Sequence, residues 1–284
     1  MPLDVITTIP QLRDRVSRAH LARQRVGFVP TMGALHAGHQ QLMNAARREC
    51  DLVTVSIFVN PLQFDRRDDL DQYPRTLESD VAVCAAAGVD IVFAPSVSEM
   101  YPSDSACVIE VGRVADHLCG RFRRGHFRGV ATVVMKLFQI VQPDRAYFGE
   151  KDAQQLAVVR RLVEDFNVPL DIIGVPTVRE SDGLALSSRN RRLSAEERSA
   201  APVLYRALQV AERLIANGNR DVAQVTAAAR QVIEGEPAVT LEYLEIVEPR
   251  EMQPVERIEG PVVAASAIWI GSTRLIDNIV CVPR

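Results

Sequence analysis

Four residues, His36-Ala37-Gly38-His39, place two imidazoles on either side of a glycine. They follow a short apolar run, Val26, Phe28 and Val29, broken by Pro30, Thr31 and Gly33. They precede 40–48, a stretch of good helix formers with Leu42, Met43, Ala45 and Ala46 as its apolar positions. The pattern predicts strand, turn and helix. Such a turn offers unpaired backbone N–H groups and the positive end of a helix dipole, which favour a phosphate. Gly38 lets a ligand come close to the backbone. Gly33 and Gly38 have P-loop spacing, but His39 and Gln40 stand where Lys and Ser/Thr are required, and G-x-G-x-x-G is absent. The turn therefore offers imidazole N–H donors, which bond phosphate oxygens and follow charge as it builds in a transition state. Two histidines that merely cap a helix are the plain alternative.

Other polar groups stand at comparable places. Gly149-Glu150-Lys151-Asp152 follows a predicted strand at 145–148 and opens a helix running to about Phe166. It puts a point positive charge beside a helix N-terminus, although alone it reads as an ordinary helix start. Asn60 and Gln63 follow the β-branched run 52–59, at the carboxyl end of a strand where open α/β sheets bind ligands. Asn60-Pro61 is equally plain turn chemistry. Ser187-Ser188-Arg189 offers two hydroxyls and a guanidinium suited to phosphate oxygens; alone it reads as a polar linker. Segment 119–130 sets four arginines and His126 among three glycines, either a solvated basic loop or a mobile anion clamp.

The elements that must position these groups alternate. Helices are expected at 11–23, 77–87 and 131–141, the last carrying Lys136 on its surface with a snorkelling stem. Strands are expected at 89–94, 107–111 and 171–175, and 65–73 as an exposed loop. Ser194 and Glu197 form a capping box. Helices at 195–217 and 221–234 and strands at 240–247, 262–270 and 274–282 follow. Strand–helix alternation predicts an α/β fold, a doubly wound parallel sheet, with a smaller C-terminal α+β domain.

Composition narrows the class. The 284 residues are 47% hydrophobic and 24% charged, ordinary for a soluble protein of two domains. A net charge of −3 favours neither nucleic acid nor an anionic membrane. No apolar run approaches the roughly 20 residues of a membrane span, and the first residues carry no apolar signal region. Five cysteines without C-x-x-C or metal-ligand spacing suit free thiols in a reducing cytoplasm. Lys136 and Lys151 are the only lysines.

His36-Ala37-Gly38-His39 resembles the His-x-Gly-His signature of the nucleotidyltransferase superfamily. The longer run Pro30-Thr31-Met32-Gly33-Ala34-Leu35-His36-Ala37-Gly38-His39 is similar to that of the pantothenate synthetases, ligases that join pantoate to β-alanine using ATP. Gly149-Glu150-Lys151-Asp152 matches that family's Gly-Glu-Lys-Asp. Leu186-Ser187-Ser188-Arg189-Asn190 matches its Leu-Ser-Ser-Arg-Asn, which stands in the place of the Lys-Met-Ser-Lys-Ser loop of related synthetases. Arg123-Arg124-Gly125-His126-Phe127 departs from its Arg-Pro-Gly-His-Phe, with Arg124 replacing proline. The likeness is strong through residue 193 and weak beyond.

The resemblance implies a Rossmann-like nucleotide- and substrate-binding domain over 1–178 and a lid domain over 179–284. It implies a pantoyl-adenylate intermediate, with pyrophosphate and then AMP released. His36, His39, Lys151, Ser187, Ser188 and Arg189 would surround the triphosphate. Met32, Gly33, Ala34, Leu35, Ala37, Gly38, Gly149, Glu150, Asp152, Val178 and Leu186 would complete the ATP site. Gln63 and Gln155, with Asn60, would hold pantoate and β-alanine. Mg²⁺ would be held mainly by the ATP phosphates, with Asp152 the protein candidate. A cytoplasmic homodimer with no nucleic-acid or membrane partner is expected. Two rivals remain open: a nucleotidyltransferase that leaves the adenylyl group on its product, and a non-catalytic nucleotide-binding module.

Overall fold

Six strands lie parallel in one sheet: β1 (Asp4–Ile6), β2 (Val26–Thr31), β3 (Leu52–Ile57), β4 (Ile91–Phe93), β5 (Arg145–Gly149) and β6 (Asp171–Val175), in the order β1-β4-β3-β2-β5-β6. The computed structural model describes residues 3–102 and 106–284. The chain winds outward from β2 through β3 and β4, then returns to the other side of β2 for β5 and β6. The strand order thus reverses between β2 and β5, the place where open α/β sheets open a crevice. Pairing of β2 with β5 is confined to Gly27↔Arg145 and Phe28↔Ala146, whereas β2 pairs with β3 along its whole length. Pro30 has no N–H to offer a neighbour; it stands opposite Ser56 of β3 but lies beyond the residues that pair with β5, so no ladder bond on that side is lost.

The central strands are apolar on both faces because helices cover both. On one face Val29, Val53, Val55 and Val92 pack against Leu42, Met43 and Ala46 of the Ala37–Glu49 helix. That helix lies close because a Cβ on Gly27 would stand only 2.9 Å from Cys50 Sγ. On the other face Phe28 meets Phe138 of the His126–Val141 helix edge to face, with ring centroids 6.5 Å apart.

The chain divides into two compact units. The first holds the sheet: the chain up to Val111, Arg124–Glu150 and Val158–Pro176. The second takes in Gly112–Arg123, Lys151–Ala157 and Thr177–Arg284. Its core lies between an antiparallel sheet of β7 (Val239–Val247), β8 (Val262–Ile270) and β9 (Thr273–Cys281) and the helices Val203–Ala216 and Val222–Glu234.

Several expectations are corrected. No strand forms at 107–111; the Ile109 N–H donates to Thr132 Oγ1 at 3.0 Å, so a helix side chain takes the donor a ladder would use. Strand β2 runs through Pro30 and Thr31 rather than ending before them. The 119–130 segment contains a short helix, Leu118–Phe122, and the start of the His126–Val141 helix. The 65–73 segment contains the short helix Arg67–Asp71. The expected 195–217 helix is two, Ala195–Ala200 and Val203–Ala216, parted at Pro202, which lacks the N–H that would continue it. Lys136 is half-buried on its helix, its Nζ 5.5 Å from the centroid of the Tyr101 ring.

Candidate active site

The histidine turn leaves the carboxyl end of β2. Gly33 and Ala34 both have positive φ, 81° and 51°, and a Cβ on Gly33 would lie 2.9 Å from Asp80 Oδ2. Asp80 explains the shape. It is buried, and its two oxygens accept from Ala34 N at 3.0 Å and Leu35 N at 2.8 Å, with Thr76 Oγ1 donating at 3.1 Å. An Asp80→Asn substitution would turn an NH₂ toward a backbone donor and strand it. The expected cost is about 1–3 kcal/mol of stability. Thermal melting reads that loss, and a larger fall in turnover than in melting temperature is expected because the histidines hang from this turn.

His36 and His39 are held by the same hydrogen-bond logic. His36 caps the Ala37–Glu49 helix, its Nδ1 accepting from Gly38 N at 3.1 Å. His39 Nδ1 accepts from His36 N at 3.3 Å, and the two ring centroids are 4.2 Å apart. An Nδ1 that accepts carries no proton, so in the neutral rings each proton is on Nε2 and each Nε2 is a donor. A Cβ on Gly38 would fall 2.9 Å from His36 Cε1, so glycine is what allows the first ring its place.

The end of β3 carries the amides. Asn60 is fully buried and its capacity is filled inside the fold. Its Nδ2 donates to Gln63 Oε1 and to Gly129 O, both at 3.1 Å, and its Oδ1 accepts from Leu62 N and from Tyr101 OH. Burial pushes the Tyr101 phenol up to about 12, so it remains a donor through the neutral range. His126, also buried, donates from Nδ1 to the Gln63 carbonyl at 2.7 Å. The proton assignment is thus opposite to that of His36 and His39. Gly129 is the contact between this helix and the Pro61–Gln63 turn; a Cβ there would lie 2.2 Å from Leu62 O. Arg124 is exposed and precedes Gly125, whose φ of 80° sets the start of the helix.

Strand β5 ends at Gly149, and Glu150–Asp152 forms one tight turn before the Ala153–Asp165 helix. In the second unit Lys151, Ser187, Arg189, Asn190 and Asp277 line one open cleft. Lys151 Nζ is 3.9 Å from Asp152 Oδ1. Ser187 caps the Ser188–Arg192 turn, its Oγ accepting from Arg189 N at 3.3 Å. Asn190 fixes that turn from below, its Nδ2 donating to Glu180 Oε1 and Ala185 O. Gln155 is half-buried, whereas its neighbour Gln154 is spent on Gly120 N, Val114 O and His117 O. Ser188, Val178 and Leu186 are partly exposed in the same unit.

Sequence reasoning missed a second layer. Arg179 and Asp277 form a two-pronged ion pair at 2.6 and 3.0 Å, and the guanidinium lies 3.9 Å over the Tyr205 ring. Asn278, next along β9, donates from Nδ2 to the Lys151 carbonyl at 2.8 Å. Asp and Asn are disfavoured in strands, and two in succession inside an apolar stretch were the signal.

A doubly wound parallel sheet whose reversal point carries an imidazole-capped helix turn has the architecture of the nucleotide-handling α/β class. Residues 4–280 match the family described as Pantoate-beta-alanine ligase, and the chain belongs to that family. It is 55% identical over 255 residues to the Pantothenate synthetase of Heliobacterium modesticaldum, covering 90% of this chain and 91% of that one. It is 55% identical over 256 residues to the Bifunctional pantoate ligase/cytidylate kinase of Thermosynechococcus vestitus, covering 89% of this chain but only about half, 50%, of that protein's length. Among solved structures, pantothenate synthetase from Thermus thermophilus superposes with a TM-score of 0.92 at 48% identity, over 98% of this chain and 99% of that one. The pantoate-beta-alanine ligase of Francisella tularensis complexed with Beta-gamma ATP and Beta-alanine superposes with a TM-score of 0.81 at 36% identity, over 98% of each.

Proposed function

We propose that this chain condenses pantoate with β-alanine in two ATP-dependent steps. In the first, a pantoate carboxylate oxygen attacks the α-phosphorus of ATP; the bond to the β-phosphate breaks and pyrophosphate leaves. In the second, the β-alanine amine attacks the acyl carbon, the acyl–oxygen bond breaks, AMP leaves and the amine gives up a proton. A carboxylate is a poor acyl donor, and the obstacle to activating it is negative charge gathering on phosphate, which fixed donors relieve.

The observation that carries this reading is the reversal of strand order between β2 and β5, because those neighbouring parallel strands feed the histidine turn and the Gly149-Glu150-Lys151 segment. In the proposal the Nε2–H groups of His36 and His39 and the Lys151 ammonium address the α- and β-phosphates, with Ser187, Ser188 and Arg189 on the leaving pyrophosphate. Met32–Leu35, Gly149, Glu150, Val178 and Leu186 complete the nucleotide seat. Gln63, oriented by Asn60, and Gln155 hold pantoate and β-alanine. Residues 179–284 serve as the lid domain, and residues 1–178 as the nucleotide- and substrate-binding domain. The Beta-gamma ATP and Beta-alanine in complex with the Francisella ligase support the substrate assignment.

Mg²⁺ enters this proposal as a companion of the ATP phosphates. Mg²⁺ keeps several waters and is held through substrate phosphates with one or two carboxylates beside it. Asp152, half-exposed and next to Lys151, is such a carboxylate. The ion supplies charge neutralisation. The proposed setting is a cytoplasmic homodimer, and among the described residues no helix is long and apolar enough to cross a membrane.

The experiment is a turnover assay that follows AMP. The proposal expects AMP in step with pantothenate, and only when β-alanine is present. An adenylylated product that persists with β-alanine added would overturn it in favour of a plain nucleotidyltransferase.

A further inference from the structure

Lys151 poses a mechanical problem. Its ammonium rides on a flexible four-carbon stem, and its Cα belongs to a single tight turn between a strand end and a helix start. Rate falls steeply when a transition-state donor is displaced by about 1 Å. Something must hold the base of that stem.

We infer that Asn278 is the positioning residue for Lys151, through the hydrogen bond its side-chain amide donates to the Lys151 carbonyl. This inference rests on the ligase reading given above. The bond is 2.8 Å long and joins residues 127 apart in sequence, and Asn278 is buried. The donor is itself fixed from behind. The Asn278 carbonyl accepts from Arg179 Nη2 at 3.3 Å, and its N–H donates to Asp277 Oδ1 at 2.8 Å. Arg179 grips Asp277 with two bonds, donates to Gly183 O at 3.0 Å and stacks on Tyr205. Gly183, at a φ of 93°, leaves the room Tyr205 needs, since a Cβ would lie 2.3 Å from its Cδ1. The 177–187 strap and β9 thereby become one rigid frame, and Asn278 is the arm of that frame that reaches the lysine. Asp277 lines the same cleft as Lys151, Ser187 and Arg189. One strand position therefore sets the cleft wall, and the next sets the lysine's base.

A double-mutant cycle on the full chain tests this, reading single-turnover formation of pantoyl adenylate from ATP and pantoate. Asn278→Ala is expected to slow that step about 10-fold or more while ATP affinity changes little, since the lost bond places a donor rather than makes one. In a Lys151→Ala background the same change is expected to cost less than about 2-fold, because residues acting as a unit are not additive. Asn278→Gln, which keeps the donor, is expected to recover part of the rate. Should the alanine variant not fold, Asn278→Ser takes its place in the cycle with the same expectations. An equal loss in both backgrounds overturns the inference and leaves the ligase reading standing. A Lys151→Ala enzyme that forms pantoyl adenylate at a near-normal rate overturns the inference, whereas a parent enzyme that forms no pantoyl adenylate overturns the ligase reading itself.

Discussion

Replacing His39 or Lys151 by alanine is expected to slow pantoyl-adenylate formation at least about 100-fold, the range seen when one preorganised transition-state donor is removed, or about 2.7 kcal/mol. The two losses have different physical origins. His39 Nδ1 is engaged by the His36 N–H, so its ring presents Nε2–H as a neutral donor held in one orientation. A neutral donor meets no desolvation penalty for a charge, and it strengthens as the phosphate oxygens gain charge. Lys151 supplies full positive charge beside a helix start, where the backbone adds to it. Rapid quench of a single turnover separates this step from amide formation. Rates near the parent in both variants would refute the assignment of either group to the phosphates.

Gly129→Ala is expected to be the most damaging single-methyl change in the first unit. The added carbon would stand 2.2 Å from Leu62 O, 2.4 Å from Leu62 C and 2.6 Å from Gln63 Cα, all backbone, so no side chain can swing away. Overpacking of this kind costs about 1–3 kcal/mol or more. Relief comes only by moving the Pro61–Gln63 turn or the His126–Val141 helix. Either motion breaks the Asn60 bond to the Gly129 carbonyl and shifts the Gln63 amide. Melting temperature and the KM for pantoate are both expected to worsen. Gly260→Ala, where nothing lies within 4 Å of the new carbon, is the control that should change neither. A stable Gly129→Ala enzyme with unchanged pantoate KM would show that the Gln63 turn does not hold that substrate.

The groups that carry contiguous motifs were legible before any coordinates. The two histidines, Gly149–Asp152 and Ser187–Arg189 announce themselves by residue type and local spacing, and strand–helix alternation announces the parallel sheet. The supports were not legible, because each is a pairing across the chain between residues that look ordinary alone. Asp80 lies 46 residues from Ala34, Arg179 lies 98 from Asp277, and Asn278 lies 127 from Lys151. Local pattern carries no trace of such pairings. The misread strand at 107–111 has the complementary cause. Its Val108, Ile109 and Val111 meet strand preference, but a strand needs a partner, and the Ile109 donor goes to Thr132 instead. Asn60 shows a third limit. Its type suggested ligand recognition, while its four hydrogen-bonding positions are filled by the fold.

The most direct test withholds the amine. The protein is mixed with ATP, Mg²⁺ and pantoate, β-alanine is omitted, and the bound material is weighed by mass spectrometry. Pantoyl adenylate, formed one for one with pyrophosphate and consumed with release of AMP when β-alanine is added, is the predicted result. Bound ATP left intact beside unreacted pantoate, with no pyrophosphate formed, would contradict the account.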